Sequence, residues 1–133
     1  MFKIFFYHAS DSIGYNTDRQ IYLGIAALYL KTHIDHNKKH IADKIEWLIP
    51  QQEKLSDKDL IDKLNKENPD IFCTSHYIWN HDHLSKQIER IRPHVPKNIL
   101  FVAGGPSINV NIDKNFFQKH PSIDYAMYGA GEA

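Results

Sequence analysis

DIFCTSHYIWNHDHLSKQIERIRPHVPKNILFVAGG, residues 70–105, decides the fold. Two short apolar runs, IFCTS at 71–75 and ILFVA at 99–103, flank a segment in which Leu84, Ile88 and Ile91 recur at helical spacing. Strand, helix and strand in that order make a β-α-β unit, a parallel pair joined by a right-handed crossover. The helix is expected from about His81 to Arg92, closed by Pro93 and Pro96. Gly104-Gly105-Pro106 turns the chain sharply after the second strand.

The same alternation extends outward. Phe2 to Tyr7 is apolar except for Lys3 and reads as a first buried strand. A turn-prone loop, His8 to Asp18, leads into a helix over Ile21–Thr32 with a broad apolar face and Asp18 as its cap. Lys44 to Ile49 is a second short strand, stopped by Pro50. Ser56 caps a helix, SDKDLIDKLNKEN, whose buried face carries Leu60, Ile61 and Leu64. After the glycine pair, Asn111–His120 suits a short helix and Ile123–Tyr128 a fifth strand, followed by Gly129-Ala130-Gly131-Glu132. The expectation is an α/β fold: a flavodoxin-like or Rossmann-like, doubly wound, five-stranded parallel sheet of order 2-1-3-4-5. Residues 1–133 make one domain. Such a sheet calls for one last helix, so the expectation is a domain cut from a longer protein.

Composition narrows the function. Sixteen basic and 16 acidic residues leave no net charge and no basic footprint for nucleic acid. No apolar run approaches the ~18 residues of a membrane helix, and MFKIFFYH is too short for a signal peptide. Cys73 is the lone cysteine, which rules out an internal disulfide and a cluster held by three thiolates of these residues. A cytoplasmic location is expected.

Ligands of open parallel sheets bind beyond the carboxyl ends of the strands. Four loops lie there: His8–Thr17, Ser75–Asn80, Gly104–Ser107 and Gly129–Glu132. Glycine at a strand end lets backbone approach a ligand closely, or simply makes a tight turn. In Ser75-His76-Tyr77-Ile78-Trp79-Asn80 a buried strand ends in a serine and runs into two large aromatics. Tyr77 and Trp79 either pack on the following helix or wall a large flat ligand toward which Ser75 donates a hydrogen bond. His76 adjoins that mouth.

Three segments together, NPDIFCTSHYIWN, ILFVAGGPSI and HPSIDYAMYGAGEA, resemble the amino-terminal cobalamin-binding domain of radical-SAM enzymes. They span Asn68 to Glu132, and the helix around Leu23–Leu30 is similar to that family's first helix. The resemblance implies that cobalamin lies across the strand ends. Ser75, Gly104 and Gly105 would line the slot for its nucleotide tail. Tyr77, Trp79, Pro106, Gly129, Gly131 and Glu132 would shape the mouth nearer the corrin, with Ser12 and Gly14 in the first loop. In this family a barrel follows, carrying a cysteine triplet for a [4Fe-4S] cluster that cleaves S-adenosylmethionine, often for methyl transfer. That machinery is absent from these residues, so they hold a cofactor and the barrel is the expected partner. The first loop, Asp11-Ser12-Ile13-Gly14, also lacks the cobalt-ligating histidine of the methionine-synthase branch.

Other readings compete. Ser12-Ile13-Gly14-Tyr15-Asn16-Thr17 loosely resembles the phosphate loop of flavodoxins, which would make the chain an FMN-binding electron carrier. That reading leaves the two later glycine segments unexplained. His33, His36 and His40, or His76, His81 and His83, have spacings that suit zinc, but a solvated connection for the first group and an exposed helix start for His81 and His83 fit better. Cys73 reads as a small core hydrophobe. Asp11 lacks the lysine partner of a receiver domain. A scaffold or docking domain with a vestigial pocket is the non-enzymatic alternative.

Overall fold

The computed structural model describes residues 1–10, 25–109 and 113–129. Its elements are β1 (Phe2–Ser10), α1 (Ile25–Asn37), α2 (Lys39–Ala42), β2 (Ile45–Trp47), β3 (Gln51–Glu53) and α3 (Asp57–Glu67). β4 (Ile71–Ser75), α4 (His81–Ile91), β5 (Leu100–Gly104), α5 (Phe116–Lys119) and β6 (Tyr125–Ala126) follow. All strand pairs are parallel, in the order β2-β1-β4-β5-β6, with β3 also on β1.

This is the expected fold class and the expected strand order, with one difference. The second strand ends before Pro50, at Trp47, and an unexpected further strand follows the proline on the same edge. Residues 45–47 pair with 2–4, the chain skips at Ile49-Pro50, and Gln51–Glu53 pairs again beside Tyr7 and Ser10. Proline cannot donate to a ladder, but at a sheet edge it interrupts pairing without destroying it. Among the described residues the sheet therefore has six strands in five positions.

Alternation along the buried strands builds two apolar layers. On one face Phe5, Tyr7, Phe72 and Phe101 meet Leu60 and Leu64 of α3 and Leu84, Ile88 and Ile91 of α4. On the other, Ile4, Phe6, Ile71 and Cys73 meet Ala27 and Leu30 of α1. The first layer also buries the Tyr7 hydroxyl, which donates to Gln87 Oε1 (2.9 Å) and accepts from the Leu55 amide (3.0 Å), so no bond is lost there.

Helix limits differ where local bonds override periodicity. α1 runs past Thr32 to Asn37, supported by a Lys31–Asp35 ion pair and by the Asn37 side chain, whose Nδ2 donates to the His33 carbonyl. Its apolar face is narrower than expected, since Leu28 and Tyr29 are exposed. Of the expected fourth helix, Asn111–His120, the described residues hold Phe116–Lys119, preceded by a turn in which Asp113 accepts from the Asn115 and Phe116 amides; residues 111 and 112 lie outside the described residues. β6 is likewise shorter than expected, with Ile123 drawn into a turn through the His120 carbonyl.

Three polar residues of the sequence pattern have structural duties. Ser56 Oγ accepts from the Asp59 amide at 3.1 Å, the expected cap of α3. Ser56→Ala should cost about 1 kcal/mol in denaturant unfolding, with an unchanged m-value. Asp70 and Asp124 each precede a strand and play one role twice. The carboxylate of Asp70 accepts from the Lys3 amide (2.8 Å) while its own amide donates to the Lys3 carbonyl (2.9 Å). Asp124 repeats this with Phe101, at 2.8 and 2.9 Å. Both aspartates sit at the amino ends of their strands, away from the loops where a ligand would bind.

Candidate functional site

Between α1 and the carboxyl half of the sheet lies a cavity of ≈220 Å³. Cys73 and Ser75 of β4 and Val102 and Gly104 of β5 form its floor, because residues two apart on a strand share a face. Phe6 of β1 closes one side, and Ala26, Tyr29 and Leu30 of α1 the roof. Tyr77, Gly105, Met127 and Gly129 stand at the open end. The wall is mostly apolar, and among the described residues no hydrogen bond uses the Ser75 hydroxyl. Cys73 faces this wall in apolar surroundings that push its thiol up to about 12, so it stays protonated. It is a wall residue on the α1 side, in the smaller of the two apolar layers.

Five of the expected site residues thus meet in one place: Ser75, Tyr77, Gly104, Gly105 and Gly129. Trp79 is 58% exposed and stacks on Tyr77 outside the cavity, ring centroids 4.6 Å apart and 5° from parallel. Pro106 is exposed at the turn. Ser12, Gly14, Gly131 and Glu132 lie outside the described residues.

The two glycines of the pair do different things. A Cβ on Gly104 would meet only the Met127 Cβ, at 3.8 Å, an ordinary contact. Gly105 has φ +105°, and a Cβ there would overlap the His76 carbonyl oxygen and stand 2.8 Å from the His76 amide nitrogen. Its close approach is to the protein's own backbone. The His76 amide donates to the Gly104 carbonyl (2.7 Å), and the Ser107 amide donates to the His76 carbonyl (3.1 Å). The Ser75–Asn80 loop and the glycine turn are therefore one unit.

His76 is fully buried but belongs to the layer beneath the mouth. Its Nε2 is 2.9 Å from Thr74 Oγ1 and its Nδ1 is 2.9 Å from His81 Nδ1. Burial, with His81 and His120 beside it, pushes its pKa down to about 3. Burial also lowers His81, with His120 adding to the effect and Asp82 opposing it. His81 is thus part of an internal cluster and not the exposed helix start that its spacing suggested. Among the described residues no group of three or more His, Cys, Asp or Glu side chains is placed to hold a metal ion.

Asn80 was not singled out by its sequence, yet it is the hub of the mouth. Its Oδ1 accepts from the Tyr77 amide (2.7 Å) while its Nδ2 donates to the carbonyls of His8 (2.7 Å) and Ser75 (2.9 Å). This ties the ends of β1 and β4 together. The available signal was an asparagine just before a helix, where its side chain competes for backbone groups. The wall residues Phe6, Cys73, Val102 and Met127 carried no signal beyond membership of apolar runs.

No family model matches the chain. A cobalamin-dependent radical SAM methyltransferase, TokK of Streptomyces tokunonensis, is 39% identical over 64 residues, 48% of this chain. A 2-(S-pantetheinyl)-carbapenam-3-carboxylate methyltransferase of Streptantibioticus cattleyicolor is 34% identical over 65 residues, 49% of this chain. Each match spans 9% of the relative's own length. Among solved structures, a cobalamin-binding protein of Desulfitobacterium hafniense superposes with TM-score 0.65 and 16% identity, over 98% of this chain and 55% of that one. The pilus assembly protein CpaE of Caulobacter crescentus gives TM-score 0.57 at 7% identity, over 96% and 86% of the two chains. The similarity to the cobalamin-binding domain of radical-SAM enzymes read from the three segments therefore stands, the two relatives being methyltransferases, and the two structures share the fold.

Proposed function

We propose that this domain binds cobalamin at the carboxyl ends of β1, β4, β5 and β6, as the cofactor-holding part of a radical-SAM methyltransferase. The observation that carries this reading is the apolar cavity opening beside Ser75 and Gly104. At ≈220 Å³ it lies below the roughly 300 Å³ at which pockets for whole drug-sized ligands begin. It suits one flat aromatic end of a larger molecule, as the nucleotide tail of cobalamin has, and leaves the corrin at the mouth. Ser75 supplies a hydroxyl inside, Gly104 a flat stretch of floor, and Tyr77 and Gly129 the rim.

When bound, cobalamin supplies a cobalt centre that carries a methyl group. The chain's own residues bind and orient it and keep water from the slot. The [4Fe-4S] cluster and S-adenosylmethionine belong to a barrel of the same polypeptide, beyond these residues. Near the mouth Ile78 is 90% exposed, and Trp79 and Tyr128 are exposed as well, an apolar rim against which that barrel would rest.

Gly104→Val tests the slot. Space for the first carbon exists, so the fold should survive with a Tm change of a few degrees, while the added methyl groups fill the floor. Equilibrium dialysis read by cobalamin absorbance should show Kd raised by about 100-fold, worth ~2.8 kcal/mol. Unchanged affinity in this variant removes the slot assignment. A wild-type protein that takes up no cobalamin at saturation leaves the docking-domain reading in its place.

A further inference from the structure

We propose that the neutral His76–His81 pair is a latch that holds the Ser75–Asn80 loop and the Gly104–Ser107 turn in their ligand-ready arrangement, and that acid opens it by placing a second N–H between the two rings. The release of ligand from the opened mouth rests on the function proposed above. The latch itself does not.

The hydrogen-bond directions follow from the partners. The Val102 carbonyl can only accept, so the Thr74 hydroxyl points toward it at 3.4 Å. Thr74 Oγ1 therefore accepts from His76 Nε2–H. That leaves His76 Nδ1 as an acceptor, and His81 Nδ1–H donates to it. A proton on His81 Nε2 leaves this bond intact. A single proton on His76 Nδ1 also keeps it, because neutral His81 then carries its own proton on Nε2 and accepts; only when both rings are charged do two N–H groups face each other, 2.9 Å apart. The ring must then turn or leave, and its backbone carries both the Gly104 and the Ser107 hydrogen bonds.

The surroundings do not rescue the charged form. Thr74 and the 104–107 turn bring no charge. α4 contributes Asp82, whose carboxylate already pairs with Lys86 at 2.9 Å, and the neutral Ser85. The end of α5 contributes His120, whose ring stacks edge-on to His81 at 5.7 Å. Asp113 on the same rim is paired with Lys119 at 3.1 Å.

The sign is set by linkage. The closed latch holds His76 at about 3, whereas a ring released to solvent titrates near 6.5. Once His81 is charged in both forms, the open form binds one more proton than the closed form below pH 6.5. Its population therefore rises about tenfold per pH unit as pH falls, and the latch is fully stable only above pH 6.5.

Trp79 reports on the loop. The chain has two tryptophans, so Trp47→Phe isolates its emission. In that background, Trp79 fluorescence should change with a one-proton slope below pH 6.5 while far-ultraviolet circular dichroism stays constant. His76→Gln keeps an acceptor for His81 and a donor for Thr74 but cannot titrate, and its profile should be flat. His81→Phe removes the donor and should give the acid-type spectrum at pH 7.5. A flat wild-type profile down to pH 4, or a wild-type acid response in His76→Gln, overturns the latch. If His81→Phe fails to fold, the other two profiles still decide. Bound cobalamin should leave the wild type about tenfold faster per pH unit, and the His76→Gln protein at a pH-independent rate. A protein that binds no cobalamin at any pH defeats the proposed function, and the fluorescence result still judges the latch.

Discussion

Gly105→Ala will destabilise the domain by on the order of 4 kcal/mol, a loss of roughly 15 °C in Tm. Two costs add. Gly105 has φ +105°, a backbone region that L side chains rarely enter, worth ~1–3 kcal/mol alone. The new Cβ would also overlap the His76 carbonyl oxygen, which already accepts from the Ser107 amide. Backbone cannot swing aside as a flexible side chain can. The adjacent Gly104→Ala is the control: its Cβ finds only an ordinary contact and should cost less than about 1 kcal/mol. Thermal melts of the two variants side by side make the comparison, and equal losses would refute the assigned roles.

Phe72→Ala will cost about 4 kcal/mol, while Cys73→Ala next to it will cost under about 1.5 kcal/mol. Phe72 is fully buried, with its ring 5.8 Å from Phe5, 6.1 Å from Tyr7 and 4.9 Å from Phe101. Removing it leaves a void in the larger apolar layer that α3 and α4 cannot collapse to fill. Cys73 points to the opposite face, where the cavity already provides space. Urea unfolding of both variants measures the difference. A Cys73→Ala loss as large as that of Phe72→Ala would mean that the cavity face is packed and no slot exists.

Much of the fold was legible because strands buried on both faces cannot hide their composition. FKIFFY, IFCTS and ILFVA are uninterrupted by turn formers, and the helices between them carry apolar residues at three- and four-residue spacing. Parallel pairing followed from connections long enough for crossovers, whereas the strand order is not encoded in spacing and was expected only as the common order of a five-stranded open sheet. Less legible were the ends of elements. Asn37, Asp113 and the His120 carbonyl set helix and strand limits through single hydrogen bonds that periodicity does not encode. The strand after Pro50 carried no sequence signal for a related reason: at a sheet edge a proline interrupts pairing, and the chain can pair again beyond it.

The candidate site was legible in part. Ser75, Tyr77, Gly104 and Gly129 follow apolar strands directly, and parallel strands end on one side of the sheet, so the sequence by itself determined that they gather. It also determined, through the three segments around them, a similarity to the cobalamin-binding domain of radical-SAM enzymes. Only the tertiary structure decided what each residue faces. It gave Gly105 to the His76 backbone, turned His76 and His81 toward each other beneath the mouth, left Trp79 stacked outside, and made Cys73 part of the wall. The physical reason is that chemistry of this kind depends on contacts between residues far apart in the chain. Residue type fixes which bonds a group can make, but only packing fixes which partner stands within reach.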